Sequence, residues 1–107
     1  MSKYHNVRTV VNGIAFDSAH EAERYVVLRA LERQGVISNL RLQVPFELIP
    51  KLQLNGRTVR ATKYIADFVY LRGGEEVVED AKGVRTAVYQ LKKKLMLWQH
   101  GIDIKEV

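Results

Sequence analysis

A mixed α/β domain is what the sequence predicts, and three observations point to it. Short alternating stretches meet at Asn12-Gly13, Asn55-Gly56 and Gly73-Gly74, dipeptides suited to the positive φ angles of tight hairpin turns. Two longer segments, opening at Asp17-Ser18 and at Thr86, carry apolar residues at helical spacing, and each runs into a glycine. The pieces follow in the order hairpin, helix, three strands, helix, strand, which is the order of one sheet with helices packed on it.

Each element has its own reason. Val7 to Phe16 alternates around Asn12-Gly13. Asp17 and Ser18 offer an N-cap to a helix that runs to about Gln34 and stops at Gly35. Its apolar residues (Ala22, Tyr25, Val26, Leu28, Leu31) spread widely around the axis, so packing on more than one side is expected. Leu40 to Leu54 alternates but contains Pro45 and Pro50, which cannot donate to a ladder, so this strand should lie at an edge or be broken. Asn55-Gly56 leads into a strand from Thr58 to Leu71, and Gly73-Gly74 into another from Glu76 to Lys82, broken by Gly83. In the segment from Thr86 to His100, Val88, Leu91, Leu95 and Trp98 form the expected core stripe, with core packing also expected of Tyr89. Gly101 stops this helix, and Ile102 to Val107 reads as a final strand.

Residues 1–107 are expected to form a single domain. Apolar residues at 47% and charged residues at 27% are ordinary globular usage, which argues against wholesale disorder. Cysteine is absent, which excludes disulfides, thiolate metal sites and cysteine nucleophiles. Charges interrupt every apolar run, so no membrane span is expected. Met-Ser-Lys-Tyr-His-Asn lacks an apolar signal core, and a cytoplasmic location is expected from it. The net charge of +5 suits a polyanionic partner such as DNA. From Ala81 to Ile102 there is no acidic residue, while Lys82, Arg85, Lys92, Lys93 and Lys94 fall inside that window. Arg85, Lys92 and Lys93 are the candidate DNA-facing cations, Lys93 first among them; a solvated helix face is the plainer alternative.

The chemistry points to Asp67, Asp80 and Lys82. On a strand, Asp80 and Lys82 project from the same face. Asp67 lies in the preceding strand among apolar and aromatic neighbours, and the Gly73-Gly74 turn brings the two acids to one edge. Two close carboxylates repel unless a cation or shared proton intervenes. Mg²⁺ is the natural relief, being held by one or two carboxylates with water and substrate phosphate, and Mn²⁺ is the expected substitute. A lysine beside such an ion can orient a water or stabilise charge developing on a phosphate. Asp-x-Lys alone says little, since Asp103-Ile104-Lys105 matches equally well. The first copy is preferred because an acidic strand precedes it and a basic helix follows it, whereas the second closes the chain with no acidic partner strand. His5, His20 and His100 are scattered and lack ligand spacing.

Three segments, Phe16-Asp17-Ser18-Ala19-His20-Glu21-Ala22-Glu23-Arg24-Tyr25, Tyr64-Ile65-Ala66-Asp67-Phe68 and Val78-Glu79-Asp80-Ala81-Lys82-Gly83, together resemble a phage-associated family of PD-(D/E)XK nucleases. The likeness covers roughly Val11 to Leu97. It implies a restriction-endonuclease-like fold, with a central mixed sheet flanked by helices. It also implies Asp67 and Asp80 as metal ligands, the Ala81 carbonyl as a third, Lys82 as the catalytic lysine and Glu21 as the acid supplied by the first helix. Ala66 stands where the superfamily name has proline, and Asp80 fills a place often held by the longer Glu. Glu21 has a competing reading, because Ser18-Ala19-His20-Glu21 is also a capping box. Glu23 reads as a solvated helix residue.

The resulting expectation is a Mg²⁺-dependent DNA endonuclease, phage-encoded and structure-specific on branched DNA such as a Holliday junction. A nicking, end-processing or sequence-specific nuclease is the alternative, as is a non-catalytic DNA-binding module of the same fold. A homodimer is expected from the two matched nicks a junction needs and from bulky helix residues (Tyr25, Leu28, Leu97, Trp98) that serve either an interface or the core.

Overall fold

Tight turns and one proline decide where the strands begin and end. The computed structural model describes residues 8–81 and 85–107. In chain order the elements are β1 (Thr9–Val11), β2 (Ile14–Phe16), α1 (Ala19–Arg33), β3 (Ser38–Ile49), β4 (Leu52–Leu54), β5 (Arg57–Val59), β6 (Thr62–Arg72), β7 (Glu75–Asp80), α2 (Ala87–His100) and β8 (Lys105–Glu106). The central sheet has the order β3-β6-β7-β8, antiparallel except for the parallel β7–β8 pair, so the domain is mixed α/β with a mixed sheet and two helices. At the first two hairpins the turn residues are left-handed in pairs, Asn12 at 51° with Gly13 at 78° and Asn55 at 51° with Gly56 at 77°. That is the backbone a two-residue hairpin loop needs.

The structure changes several expected boundaries. Leu40 to Leu54 is divided at Pro50-Lys51, and Thr58 to Leu71 is divided opposite it at Arg60-Ala61. Pro50 has no N–H to offer, so the ladder stops there. β4 and β5 then form their own two-stranded sheet, with Leu52, Leu54 and Val59 exposed. Pro45 stays within β3, which is an edge strand as a proline requires. The last strand is only Lys105–Glu106, but it lies beside β7 with Glu79 opposite Lys105 and Asp80 opposite Glu106. The second Asp-x-Lys copy therefore does have an acidic neighbour strand, contrary to expectation, because α2 carries the chain back along the sheet.

Both helices pack more narrowly than expected. Ser18 caps α1 through its Oγ, and α1 buries Ala22, Tyr25 and Leu28 along one side, leaving Val26 and Val27 exposed. Thr86 caps α2, and Gly101, left-handed at 67°, ends it. Tyr89 and Met96, about two turns apart, are the buried residues of α2. Of the expected core stripe, Leu95 packs against the core that holds them, but Val88, Leu91 and Trp98 are exposed, Trp98 at 77%. Trp98 lies about two and a half turns from Tyr89 and so on the opposite side of the axis.

The core has two layers, one on each side of the sheet. Phe68 and Tyr70 of β6 pack with Phe16, Ala22, Tyr25 and Leu28 on the α1 side. Val69 packs with Val78, Tyr89 and Met96 on the α2 side. This alternation reverses at Asp67, since Tyr64 and Ala66 also belong to the α2 layer. β3 reverses at the facing position: Leu40 and Leu42 pack with the α1 layer, Val44 and Phe46 with the α2 layer. Between them, Gln43 has φ 52°, a left-handed residue inside a strand. The neighbouring pairs Leu42–Phe68 and Val44–Ala66 put Gln43 across from Asp67, so both strands change faces at one seam.

Glu79 is the most deeply buried charge. Its carboxylate has no exposed surface and accepts two bonds from Arg24, Nε to Oε1 at 2.8 Å and Nη2 to Oε2 at 2.7 Å. The Tyr70 hydroxyl donates to it as well, and Lys105 Nζ stands 4.0 Å away. Burial alone pushes the Glu79 carboxyl up, but the Arg24 and Tyr70 bonds and the charges of Arg24 and Lys105 outweigh it and hold the group below its ordinary range. A carboxyl lowered on folding contributes stability above its unfolded pKa and loses it as pH falls through the folded value. Wild-type stability is therefore expected to fall below about pH 4. Arg24→Met leaves a buried carboxylate poorly paired, with an expected loss of about 3 kcal/mol or more at pH 7 in urea unfolding. The variant's deficit should shrink on acidification, as Glu79 protonates; an equal deficit at pH 7 and pH 4 would show that Arg24 acts through packing alone.

Candidate functional site

The β6–β7 ladder ends at the pair Phe68–Glu79, and the next residue on each strand is an acid, Asp67 and Asp80. The expected meeting of these two positions at one edge is what the register gives. Where the ladder stops, a side chain continues it: the Ala81 N–H donates to Asp67 Oδ2 at 2.9 Å. Asp67 is half-buried and Ala81 lies beside it at the mouth of the fork. Asp80 is set differently. It is 1% exposed, and the Tyr64 hydroxyl donates to its Oδ2 at 2.5 Å on the α2 side of the sheet. Burial, then the bond to Asp80, pushes the Tyr64 hydroxyl well above its usual range, so Tyr64 stays the donor. Lys82, the expected catalytic lysine, lies outside the described residues.

Glu21 reaches this fork from the first turn of α1. The Ser18 Oγ accepts the Glu21 N–H at 3.1 Å, which is one half of the expected capping box. The Glu21 carboxylate, 7% exposed, meets β3: Gln43 Nε2 donates to Glu21 Oε1 at 3.2 Å. The same nitrogen donates to Asp67 Oδ1 at 3.3 Å. One amide thus bridges the helix acid and the strand acid. A cleft of about 270 Å³ between the β1–β2 hairpin and the sheet opens beside them, lined by Ile14, Phe16, Asp17, Glu21, Leu42 and Gln43.

The expected DNA-facing cations are partly engaged elsewhere. Arg85 Nε lies 3.0 Å from Glu106 Oε1 and Lys93 Nζ lies 3.5 Å from Glu106 Oε2, with Tyr89 donating to the same carboxylate at 2.7 Å. Lys92 is half-buried on the same helix. His20 Nε2 is 2.7 Å from the Val107 carbonyl and His100 Nε2 is 2.7 Å from that of Glu47, ties between chain segments that fit the non-ligand reading. Glu23 is exposed, as expected.

Sequence reasoning missed Gln43, Arg24 and Tyr64 as partners of the acids. Arg24 and Tyr64 carried a signal, their places within the segments that also hold Glu21 and Asp67. For Gln43 no pattern marks a mid-strand left-handed residue.

The donor set here is all oxygen, the carboxylates of Glu21 and Asp67 and the backbone of Ala81, with the Asp80 carboxylate turned to Tyr64 on the α2 side. Among the described residues, no three Asp, Glu or His side chains converge to cage an ion by themselves. Two carboxylates at an open edge nonetheless fit a hard divalent ion that keeps several waters. No helix among the described residues is long and apolar enough to cross a membrane.

Comparison with known proteins adds one family and no function. No curated protein and no solved structure matches the chain. Residues 1–106 match the model of a family described as "Protein of unknown function (DUF1064)", and the chain belongs to that family.

Proposed function

We propose that this protein is a Mg²⁺-dependent endonuclease of the PD-(D/E)XK type, with Mn²⁺ able to replace Mg²⁺, acting on branched DNA. The observation that supports this most is the linkage of separate chain segments at one strand fork: Gln43 of β3 bridges Glu21 from α1 and Asp67 from β6, and Asp67 accepts the Ala81 N–H at the end of β7. In this reading Asp67, Glu21, Asp80 and the Ala81 carbonyl hold the ion. A bound Mg²⁺ would supply an activated water and neutralise phosphate oxygens. Lys82, the next residue in the sequence after Ala81, is assigned the charge developing on the phosphate. Arg85, Lys92 and Lys93 contribute phosphate affinity. The preference for branched over linear DNA rests on the small size of the domain, with readout of shape in place of a long base sequence.

A second reading, a non-catalytic DNA-binding module, draws on Asp80 alone, whose buried bond to Tyr64 is a structural setting. The two readings part in mutants. Asp80→Asn and Lys82→Ala should each reduce Mg²⁺-dependent nicking of a four-way junction by about 100-fold or more while junction binding is kept. Asp103→Asn and Lys105→Ala should cut normally. Equal DNA retention with Mg²⁺ and with chelator, and no cutting by the wild type, would establish the binding module instead.

Glu21→Gln separates capping from catalysis, because glutamine also serves in a capping box. A melting temperature within a few degrees of wild type and a loss of cleavage are expected. Normal cleavage would return Glu21 to a structural role.

The active form proposed is a homodimer, a C₂ pair with two sites for the two strands of a junction. Tyr25 and Leu28 do not serve it, being buried in the monomer's own core. The support comes from α2, where Val88, Leu91, Leu97 and Trp98 are exposed, Leu91 and Trp98 on the side away from the sheet. Light scattering should give a dimer at micromolar concentration and Trp98→Glu a monomer. A monomeric wild type would contradict the proposal.

A further inference from the structure

Four non-glycine residues among those described have positive φ, and three of them are asparagines, the residue type that tolerates this backbone best. The fourth is Gln43, at 52°. It is not in a turn. It sits inside β3 between the paired residues Leu42–Phe68 and Val44–Ala66. A left-handed backbone at a long side chain in a strand interior is strained, and such strain persists only where the surroundings hold it. The face reversal explains why the backbone rolls here, but it does not explain glutamine, since glycine would roll without strain.

What glutamine adds is its amide. Nε2 donates to Glu21 Oε1 at 3.2 Å and to Asp67 Oδ1 at 3.3 Å, so a neutral group with two hydrogens stands between two acids that otherwise repel. Asp67 has a second hold on its other oxygen, from the Ala81 N–H. Glu21 is fixed at its backbone by Ser18. Gln43 thus links the helix acid to the strand acid.

We propose that Gln43 is a positioning residue for a divalent cation: its strained backbone delivers one amide to the seam, where it sets Glu21 and Asp67 side by side. This rests on the nuclease reading and deepens it. Groups that orient metal-binding carboxylates in this way typically change metal affinity by 10–100-fold when removed.

The test is Mn²⁺ binding to DNA-free protein by calorimetry, together with thermal melts of the metal-free protein, for wild type, Gln43→Gly and Asp67→Asn. Gln43→Gly removes both the strain and the amide. It should melt higher than Gln43→Ala, by about 4 °C or more, because both lack the amide and only glycine relieves the backbone. The same variant should bind Mn²⁺ about 10-fold more weakly or worse. Gln43→Ala, which keeps the strained position and lacks the amide, should lose the same affinity and melt lower than Gln43→Gly. Wild-type Mn²⁺ affinity in Gln43→Gly would overturn the role of Gln43 while leaving the nuclease reading in place. A Gln43→Gly melting temperature no higher than that of Gln43→Ala would overturn it too, by showing that the backbone at residue 43 carries no strain. Absence of Asp67-dependent Mn²⁺ binding in the wild type would remove the nuclease reading itself.

Discussion

The seam where β3 and β6 change faces is the constraint on which the rest of this structure depends. A regular strand keeps alternate side chains on one side of a sheet, so a helix covering one face meets every second residue along its length. Here Leu42 and Phe68 belong to the α1 layer while Val44 and Ala66 belong to the α2 layer, and the reversal falls at Gln43 and Asp67. Each helix can therefore cover a different end of the same two long strands. At the crossover neither core claims the side chains, which leaves a polar position with apolar layers on both sides. The cluster of Glu21, Gln43 and Asp67 occupies it.

Two neighbouring acids on β7 show how far surroundings, rather than residue type, decide a role. Glu79 faces α1 and is saturated by Arg24 and Tyr70, with its carboxyl held low and the Tyr70 hydroxyl pushed up to about 12 by burial and by that bond. This is an internal strut: it ties α1 to two strands of the sheet, and with them the turn of helix that presents Glu21. Asp80 faces the other layer and meets Tyr64. Asp67, at the fork, accepts bonds from the Gln43 amide and the Ala81 N–H.

Much of this was legible in the sequence, and the failures have physical reasons. Asn-Gly and Gly-Gly dipeptides located the hairpins, because few residues accept paired positive φ angles. Ser18 and Thr86 located both helix starts. The meeting of Asp67 and Asp80 followed from one turn between two strands. The packed side of α2 followed only in part: Tyr89 and Leu95 pack in the core with Met96, but Val88, Leu91 and Trp98 of the expected stripe are exposed. Periodicity detects an apolar face without saying whether the monomer or a partner covers it. Gln43 was invisible for another reason, since nothing local in Leu42-Gln43-Val44 calls for a left-handed backbone. Its conformation is imposed by the two layers that β3 must serve.

The central claim is that the seam gathers acids to receive a divalent cation, and the most direct measurement is a Mg²⁺ titration of ¹⁵N-labelled protein followed by NMR. The account predicts that millimolar-range Mg²⁺ shifts a compact set of signals: the Gln43 side-chain amide and the backbone amides of Glu21, Asp67, Phe68 and Ala81. Unchanged signals at these positions, or larger shifts elsewhere in the molecule, would contradict it.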